Sequence, residues 1–170
     1  MPSGYHNTEL NDSKKLSEKV RDRLREDIEK YALAFAVAFI DNHTIDKINI
    51  LKASILGMHY ALDKLEVCPD HILVDGNKFF SYKNIPHQCI IKGDSEYISI
   101  AAASILAKTY RDEYMQNLHL SYSYYGWDRN KGYPTRYHRD ALLKFGLSDY
   151  HRRSFHLIDT QTELELKYEY

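Results

Sequence analysis

The sequence predicts an α/β fold in which helices flank a sheet. Helix-like and strand-like segments alternate along the chain, which is the pattern of layered α/β proteins. Two short apolar runs, His71–Val74 and Gln88–Ile91, are each followed closely by an aspartate. A third run, Leu33–Ile40, alternates large apolar residues with alanines, as a strand buried on both faces does.

Length and composition are those of an ordinary globular domain. The chain has 170 residues, 44% of them hydrophobic, and a formal net charge of −1. We expect one domain over residues 1–159 and a flexible tail over residues 160–170. The near-zero charge excludes a general electrostatic attraction to nucleic acid, so phosphate binding would require a local basic patch. Cys68 and Cys89 lack zinc-site spacing and are expected to be reduced thiols. No signal peptide or membrane-spanning run is recognisable, so we expect a cytoplasmic protein.

A polar cluster precedes the first predicted helix. The run Asn11–Lys15 is polar, and Ser17 after it is a suitable N-cap. Apolar residues then recur at helical spacing: Leu16, Val20, Leu24 and Ile28. Unpaired backbone N–H groups at a helix start attract anions, so the cluster is a candidate phosphate contact. A solvated turn with two surface lysines explains the same residues, and without further information it is the stronger interpretation.

The middle of the chain predicts a second helix after the strand at Leu33–Ile40. Thr44 is expected to cap a short turn, and the periodicity of Ile50–Leu65 predicts a helix. Its inward residues are expected to be Leu51, Ile55, Met58 and Leu62.

Asp75 and Asp94 follow neighbouring predicted strands. Asp-Gly after a strand is a common turn, so either aspartate alone is better explained by turn chemistry. As a pair they would share the carboxyl edge of the sheet, where ligands of α/β proteins bind. Small residues early in the next predicted helix, Ile98–Leu118, would let that helix pack closely against the sheet and fix Asp94 at the sheet edge.

The last third of the chain is rich in aromatic residues. We expect most of them to form a satellite core under a long loop rather than a stacking platform for bases: Tyr122, Tyr124, Tyr125 and Trp127. Tyr133 is set apart, because Pro134 stiffens the turn that presents it before a helix at Thr135–Phe145. His138 and His151 are expected to be structural or surface residues.

Six ordered motifs together resemble bacterial ribonuclease HII. They are NDSKKLS (Asn11–Ser17), LVDGN (Leu73–Asn77), KGD (Lys92–Asp94), IAAASILAK (Ile100–Lys108) with Arg111-Asp112 after it, NKGYPT (Asn130–Thr135) and HRRSF (His151–Phe155). The resemblance covers the chain from about Leu10 to Phe155, and six motifs in the right order are a specific signal.

The resemblance implies a ribonuclease H-like fold and a metal-dependent endonuclease. Such an enzyme hydrolyses the RNA strand of RNA–DNA hybrids and cuts 5′ of a ribonucleotide embedded in DNA, using two Mg²⁺ or Mn²⁺ ions. It implies that Asp75 and Asp94 are catalytic metal ligands, whereas Asp112 is structural. It also implies that substrate is contacted by Asn11, Ser13, Lys14, Lys131 and Tyr133, the tyrosine packing against the ribose.

The sequence departs from the family pattern at its start. The family's DEAGRG-like strand, which carries two further acidic ligands, has no counterpart before Asn11. We therefore expect the first strands of the family to be missing, weak metal binding, self-association of a normally monomeric fold, and doubtful activity. The alternative hypothesis is a non-catalytic fragment that at most binds duplexes. A small-molecule α/β enzyme is disfavoured because no glycine-rich phosphate loop occurs.

Overall fold

The computed structural model describes residues 1–10 and 13–155 of the chain. Their contacts divide them into two compact units. The first comprises Met1–Ile40 and Leu51–Arg111, and the second comprises Asp41–Ile50 and the chain from Asp112 onward. Asn11 and the expected tail over residues 160–170 lie outside the described residues. The single domain expected over residues 1–159 stays a prediction.

The first unit is built around helix α1, Glu18–Tyr31. Its N-cap is Ser17, whose hydroxyl accepts a hydrogen bond from the Val20 amide, as predicted. The apolar stripe of α1 packs against helix α4, Ile98–Ser121, which belongs to this unit up to Arg111. The buried residues of this core are Leu10, Leu24, Ile28, Ala101, Ala102, Ile105 and Leu106. Ala101 and Ala102 on α4 therefore pack in the core with α1, whereas the sequence predicts that the small residues lie against the sheet.

A parallel pair of strands forms the sheet in the described chain. Strand β1 is Ile72–Asp75 and strand β2 is His87–Ile90, with Asp75 opposite Ile90. One face of β1 is buried through Ile72 and Val74, which pack with Tyr82. Because strand side chains alternate between faces, Asp75 lies on the face opposite this core.

The segment Leu33–Ile40 is not a strand in the described structure. Its large residues are not buried either: the exposed fractions are 71% for Leu33, 39% for Phe35 and 52% for Phe39. The prediction of a strand buried on both faces is therefore wrong for this structure. The alternating pattern specifies an apolar face, but a strand also needs a neighbouring backbone to pair with.

Helix α2, Asn42–Ile48, and helix α3, Ile50–Asp63, follow this segment. The cap of α2 is Asp41, whose carboxylate accepts from the Thr44 amide, so the prediction that Thr44 is the cap is wrong. In α3 the buried residues include Ile55, as expected, and Ala53. Leu51 and Met58, which were predicted to face inward, are exposed. The helical periodicity of the sequence places these residues on one face of α3, but it does not say how much of that face other parts of the chain cover.

The second unit contains a compact aromatic core. Helix α5, Trp127–Asn130, and helix α6, Arg136–Phe145, enclose it together with the later turns of α4. Its buried members are Tyr125, Trp127, Ala141 and Leu142. The expected satellite core is thus confirmed for Tyr125 and Trp127. Thr135 is the N-cap of α6, and Gly146, with φ 75°, ends it.

Candidate active site

The carboxylate of Asp75 is tied to the turn that carries Asp94. Asp75 ends β1, and Asp94 lies in a single 3₁₀ turn, Gly93–Ser95, just beyond β2. The Gly93 N–H donates a hydrogen bond of 3.0 Å to Asp75 Oδ1. Parallel pairing brings both strand ends to the same edge, so the two predicted aspartates do belong to one part of the structure.

Gly93 is the residue at this site that the sequence argument missed. It is buried, and a Cβ added to it would lie 2.6 Å from Ile100 Cδ1 and 3.3 Å from Ile90 Cβ. Lys92 before it has the left-handed backbone, with φ 59°. The turn can therefore come this close to α4 and to β2 only without a side chain at position 93. The signal in the sequence is a glycine between a strand and an acid.

The two carboxylates suit a hard divalent cation. Mg²⁺ and Mn²⁺ prefer carboxylate oxygens and complete their shells with water and substrate phosphates. Asp75 is exposed and Asp94 is half-buried, so both are accessible from solvent. Among the described residues, no group of three or more His, Cys, Asp or Glu side chains could hold a metal ion. That Asp75 and Asp94 hold a metal ion stays a prediction.

The predicted phosphate contacts before α1 differ in their burial. Ser13 is buried, and its hydroxyl lies 2.9 Å from the Ser104 hydroxyl on α4. The Arg21 guanidinium donates to the Ser13 carbonyl at 3.3 Å. Lys14 beside it is exposed. The buried serine therefore anchors the loop to α4, and the exposed lysine is accessible from solvent.

Tyr133 lies in a tightly bonded loop of the second unit. Its amide donates to the Asn130 carbonyl at 2.8 Å, and its carbonyl accepts from the Thr135 amide at 2.8 Å. Asn130 is buried, and its side chain receives the Gly132 amide and donates to the Tyr125 carbonyl. Tyr133 as a residue is 55% exposed. A fixed backbone thus presents an accessible ring, although the fixing residue Asn130 was not singled out from sequence.

Lys131, in contrast to the exposed Tyr133, is buried. Its side chain is buried, and its ammonium donates to the Asp128 carbonyl at 2.6 Å. This bond closes the turn before Tyr133. The expected contact of Lys131 with substrate stays a prediction, and its described bond is structural.

His138 and His151 are buried in the same unit beneath the Tyr133 loop. Their Nε2 atoms lie 3.1 Å apart, and His138 Nδ1 lies 3.1 Å from the Tyr133 carbonyl oxygen. Burial lowers the pKa of both, and burial together with the nearby His138 lowers that of His151 to about 4. Both are therefore neutral at ordinary pH, in agreement with the expected structural role.

Comparison with known proteins identifies the family. Residues 3–158 match the sequence profile described as Ribonuclease HII. The chain belongs to the ribonuclease HII family. Its similarity to the Ribonuclease HII of Bacteroides thetaiotaomicron is 56% identity over 158 residues, 93% of this chain and 79% of that protein. Similarity to the Ribonuclease HII of Phocaeicola vulgatus is 51% identity over 168 residues, 99% of this chain and 84% of that protein.

A solved structure confirms the predicted ribonuclease H-like fold. The crystal structure of the ribonuclease H2 from Pyrococcus horikoshii OT3 superimposes with a TM-score of 0.74 at 21% identity. The match covers 94% of this chain and 81% of that one. In this chain, the motifs LVDGN, KGD and NKGYPT, which carry the resemblance to ribonuclease HII, also form the strand-end turn and the Tyr133 loop. In the residues that the structure describes, no helix is long and apolar enough to cross a membrane.

Proposed function

We propose that this member of the ribonuclease HII family cuts the RNA strand of RNA–DNA hybrids and cuts 5′ of a ribonucleotide embedded in DNA. The products would carry 3′-hydroxyl and 5′-phosphate ends. The observation that carries the proposal is the pairing of Asp75 and Asp94 at the carboxyl edge of two parallel strands, joined by the Gly93 amide.

Asp75 and Asp94 would act by binding divalent metal ions. Bound Mg²⁺ or Mn²⁺ supplies activation of the attacking water and stabilisation of the leaving oxygen in nucleases that use two ions. Asp75 and Asp94 would bind and orient the ions. The Gly93 N–H fixes one Asp75 oxygen and leaves the other oxygen and the Asp94 carboxylate for binding.

Tyr133 would distinguish ribose from deoxyribose. An enzyme that recognises a ribonucleotide in DNA has to sense the 2′-hydroxyl group. An exposed aromatic ring on a rigid loop can pack against the sugar, where the extra hydroxyl changes the fit. Exposed Lys14, on the loop anchored through Ser13, would contribute a phosphate contact that carries no sequence information. For Asn11, outside the described residues, phosphate contact stays a prediction.

The decisive experiment compares carboxamide variants on one substrate. We expect Asp94→Asn to lose cleavage of an end-labelled duplex with a single ribonucleotide by at least about a hundredfold while retaining binding. Asp70→Asn, an exposed aspartate before β1, is the matched control and should cleave like the unmodified chain. Equal cleavage by Asp94→Asn would overturn the assignment. Binding without cleavage by the unmodified chain at any Mn²⁺ concentration would favour the non-catalytic alternative instead.

A further inference from the structure

The two histidines of the buried pair come from two segments that are separate in the sequence. His138 belongs to α6, just after the NKGYPT motif, and His151 begins the HRRSF motif. The exposed fraction is 2% for His138 and 5% for His151. Neither side chain has a role in the proposed cleavage, yet every ring nitrogen of the pair has a polar neighbour within 3.1 Å.

The protons of this pair can be assigned from its neighbours. The Ser148 backbone N–H lies 2.9 Å from His151 Nδ1 and can only donate, so His151 Nδ1 accepts. The Tyr133 carbonyl can only accept, so His138 Nδ1 carries a proton and donates to it over 3.1 Å. In a neutral pair, His151 then has its proton on Nε2 and donates to His138 Nε2 over 3.1 Å. The bonds form one directed chain from Ser148 through both rings to Tyr133.

We propose that His138 and His151 are positioning residues, which fix the Tyr133 carbonyl and thereby hold the Tyr133 ring where it reads the ribose of the substrate. This inference rests on the proposed function of Tyr133. The donor and acceptor roles along this chain of hydrogen bonds cannot be reversed, because one end is a backbone N–H group, which only donates, and the other is a backbone carbonyl, which only accepts. The pair therefore transmits the position of the segment after α6 to the loop before it.

The surroundings keep the pair neutral. The Tyr125 ring packs edge-on against His151 with ring centroids 4.6 Å apart, and the centroid of the Trp127 ring lies 5.2 Å from that of His151. Besides His138, the titratable side chain of Tyr125 contacts His151, and burial raises the pKa of Tyr125 to about 12, so it stays uncharged. From α2, Asn42 donates to the His151 carbonyl at 2.9 Å. An added proton would set two N–H groups against each other across the 3.1 Å gap.

Two variants of His138 separate positioning from packing. The amide nitrogen of His138→Asn can occupy the Nδ1 position and donate to Tyr133, but it leaves His151 without an acceptor. In His138→Gln the amide oxygen can accept from His151, but the hydrogen bond from position 138 to the Tyr133 carbonyl is lost, and the Thr135 amide stays as a donor to that carbonyl. Each variant breaks one hydrogen bond of the chain, so both should lose similar stability. Only His138→Gln should disturb Tyr133.

The test uses the full 170-residue chain and two readouts. Nitrogen-15 NMR of the imidazoles should show neutral rings at pH 7, with the proton on Nδ1 in His138 and on Nε2 in His151. Fluorescence anisotropy should show the preference for a duplex with one ribonucleotide over an all-DNA duplex falling about fivefold in His138→Gln, the factor one hydrogen bond typically carries. His138→Asn should keep the preference and the Tyr133 ring shifts of the unmodified chain.

The outcomes separate this inference from the proposed function. If Tyr133→Ala keeps the ribonucleotide preference, the proposed reading of the sugar fails, and the NMR tautomers and Tyr133 shifts alone decide the inference. If Tyr133→Ala loses the preference while His138→Gln keeps it, the inference is overturned. Opposite tautomers, a charged ring at pH 7, or equal disturbance of Tyr133 by both His138 variants would also overturn it.

Discussion

Replacing Gly93 with alanine tests whether the turn after β2 is as closely packed as the structure shows. The new Cβ would lie 2.6 Å from Ile100 Cδ1 and 3.3 Å from Ile90 Cβ. Cδ1 ends a side chain, but Ile100 is buried and has little room to rotate. Ile90 Cβ cannot move without its strand. The turn itself must therefore shift, and with it the N–H that binds Asp75.

The expected cost follows from these contacts. Adding a methyl group to a close-packed site typically costs about 1–3 kcal/mol, and the strained hydrogen bond places Gly93→Ala near the middle of that range. For a chain of this length, about 2 kcal/mol lowers the Tm by about 4–8 °C. Cleavage of the single-ribonucleotide duplex should fall as well, because Asp75 and Asp94 are displaced relative to each other.

Gly57→Ala is the matched control for this prediction. Gly57 lies inside α3, and a Cβ there would meet Ile40 Cγ1 at 3.4 Å, an ordinary contact distance. Alanine is favoured over glycine within a helix by roughly 1 kcal/mol, so the Tm should stay or rise. Thermal unfolding followed by circular dichroism measures both variants. A Gly93→Ala chain that melts and cleaves like the unmodified chain would refute the packing argument.

Three further predictions concern metal, acid and association. The 170-residue chain should bind Mn²⁺ weakly in calorimetric titration, because Asp75 and Asp94 provide few of the oxygen ligands that the ion needs; a tight site unaffected by Asp75→Asn would contradict this. The folded pKa of His151, about 4, lies below the ordinary pKa of histidine, about 6.5, so the unfolded chain binds the extra proton. Urea unfolding should therefore show stability intact above pH 6.5 and falling by about 3 kcal/mol toward pH 4, a loss that His151→Gln should reduce. The exposed Leu33 and Phe39 should make the chain self-associate in sedimentation velocity, and Phe39→Lys should lessen it, whereas a monomer at all concentrations would count against this prediction.

Local signals in the sequence predict those features of the structure that depend on residues close together in the sequence. Ser17 caps its helix as predicted, because an N-cap needs only an amide three residues further along. The strand ends at Asp75 and the turn at Asp94 follow from short apolar runs and the polar residues after them. Each of these features is decided within a few residues of chain.

The predictions were wrong, or none was made, where the structure depends on contacts between residues that are distant in the sequence. Leu33–Ile40 has the pattern of a buried strand, but strand pairing is a property of two segments, and the pattern describes one. The burial of Ser13 depends on Ser104, 91 residues away. The opposition of His138 and His151 depends on how the segment after α6 folds back. A single sequence gives no direct sign of such pairs.

The register of the two strands connects the fold of the first unit to its chemistry. Ile72 and Val74 are held by the core, so β1 cannot rotate, and Asp75 is obliged to face away from that core. Its partner in the ladder is Ile90, and the chain after Ile90 needs only a left-handed residue and a glycine to turn back toward Asp75. A slip of one residue would turn the aspartate inward and expose the apolar side chains. The same contacts that stabilise the strand pair therefore determine where the carboxylate lies, and a variant that loosens the core beneath β1 should reduce metal binding without touching either acid.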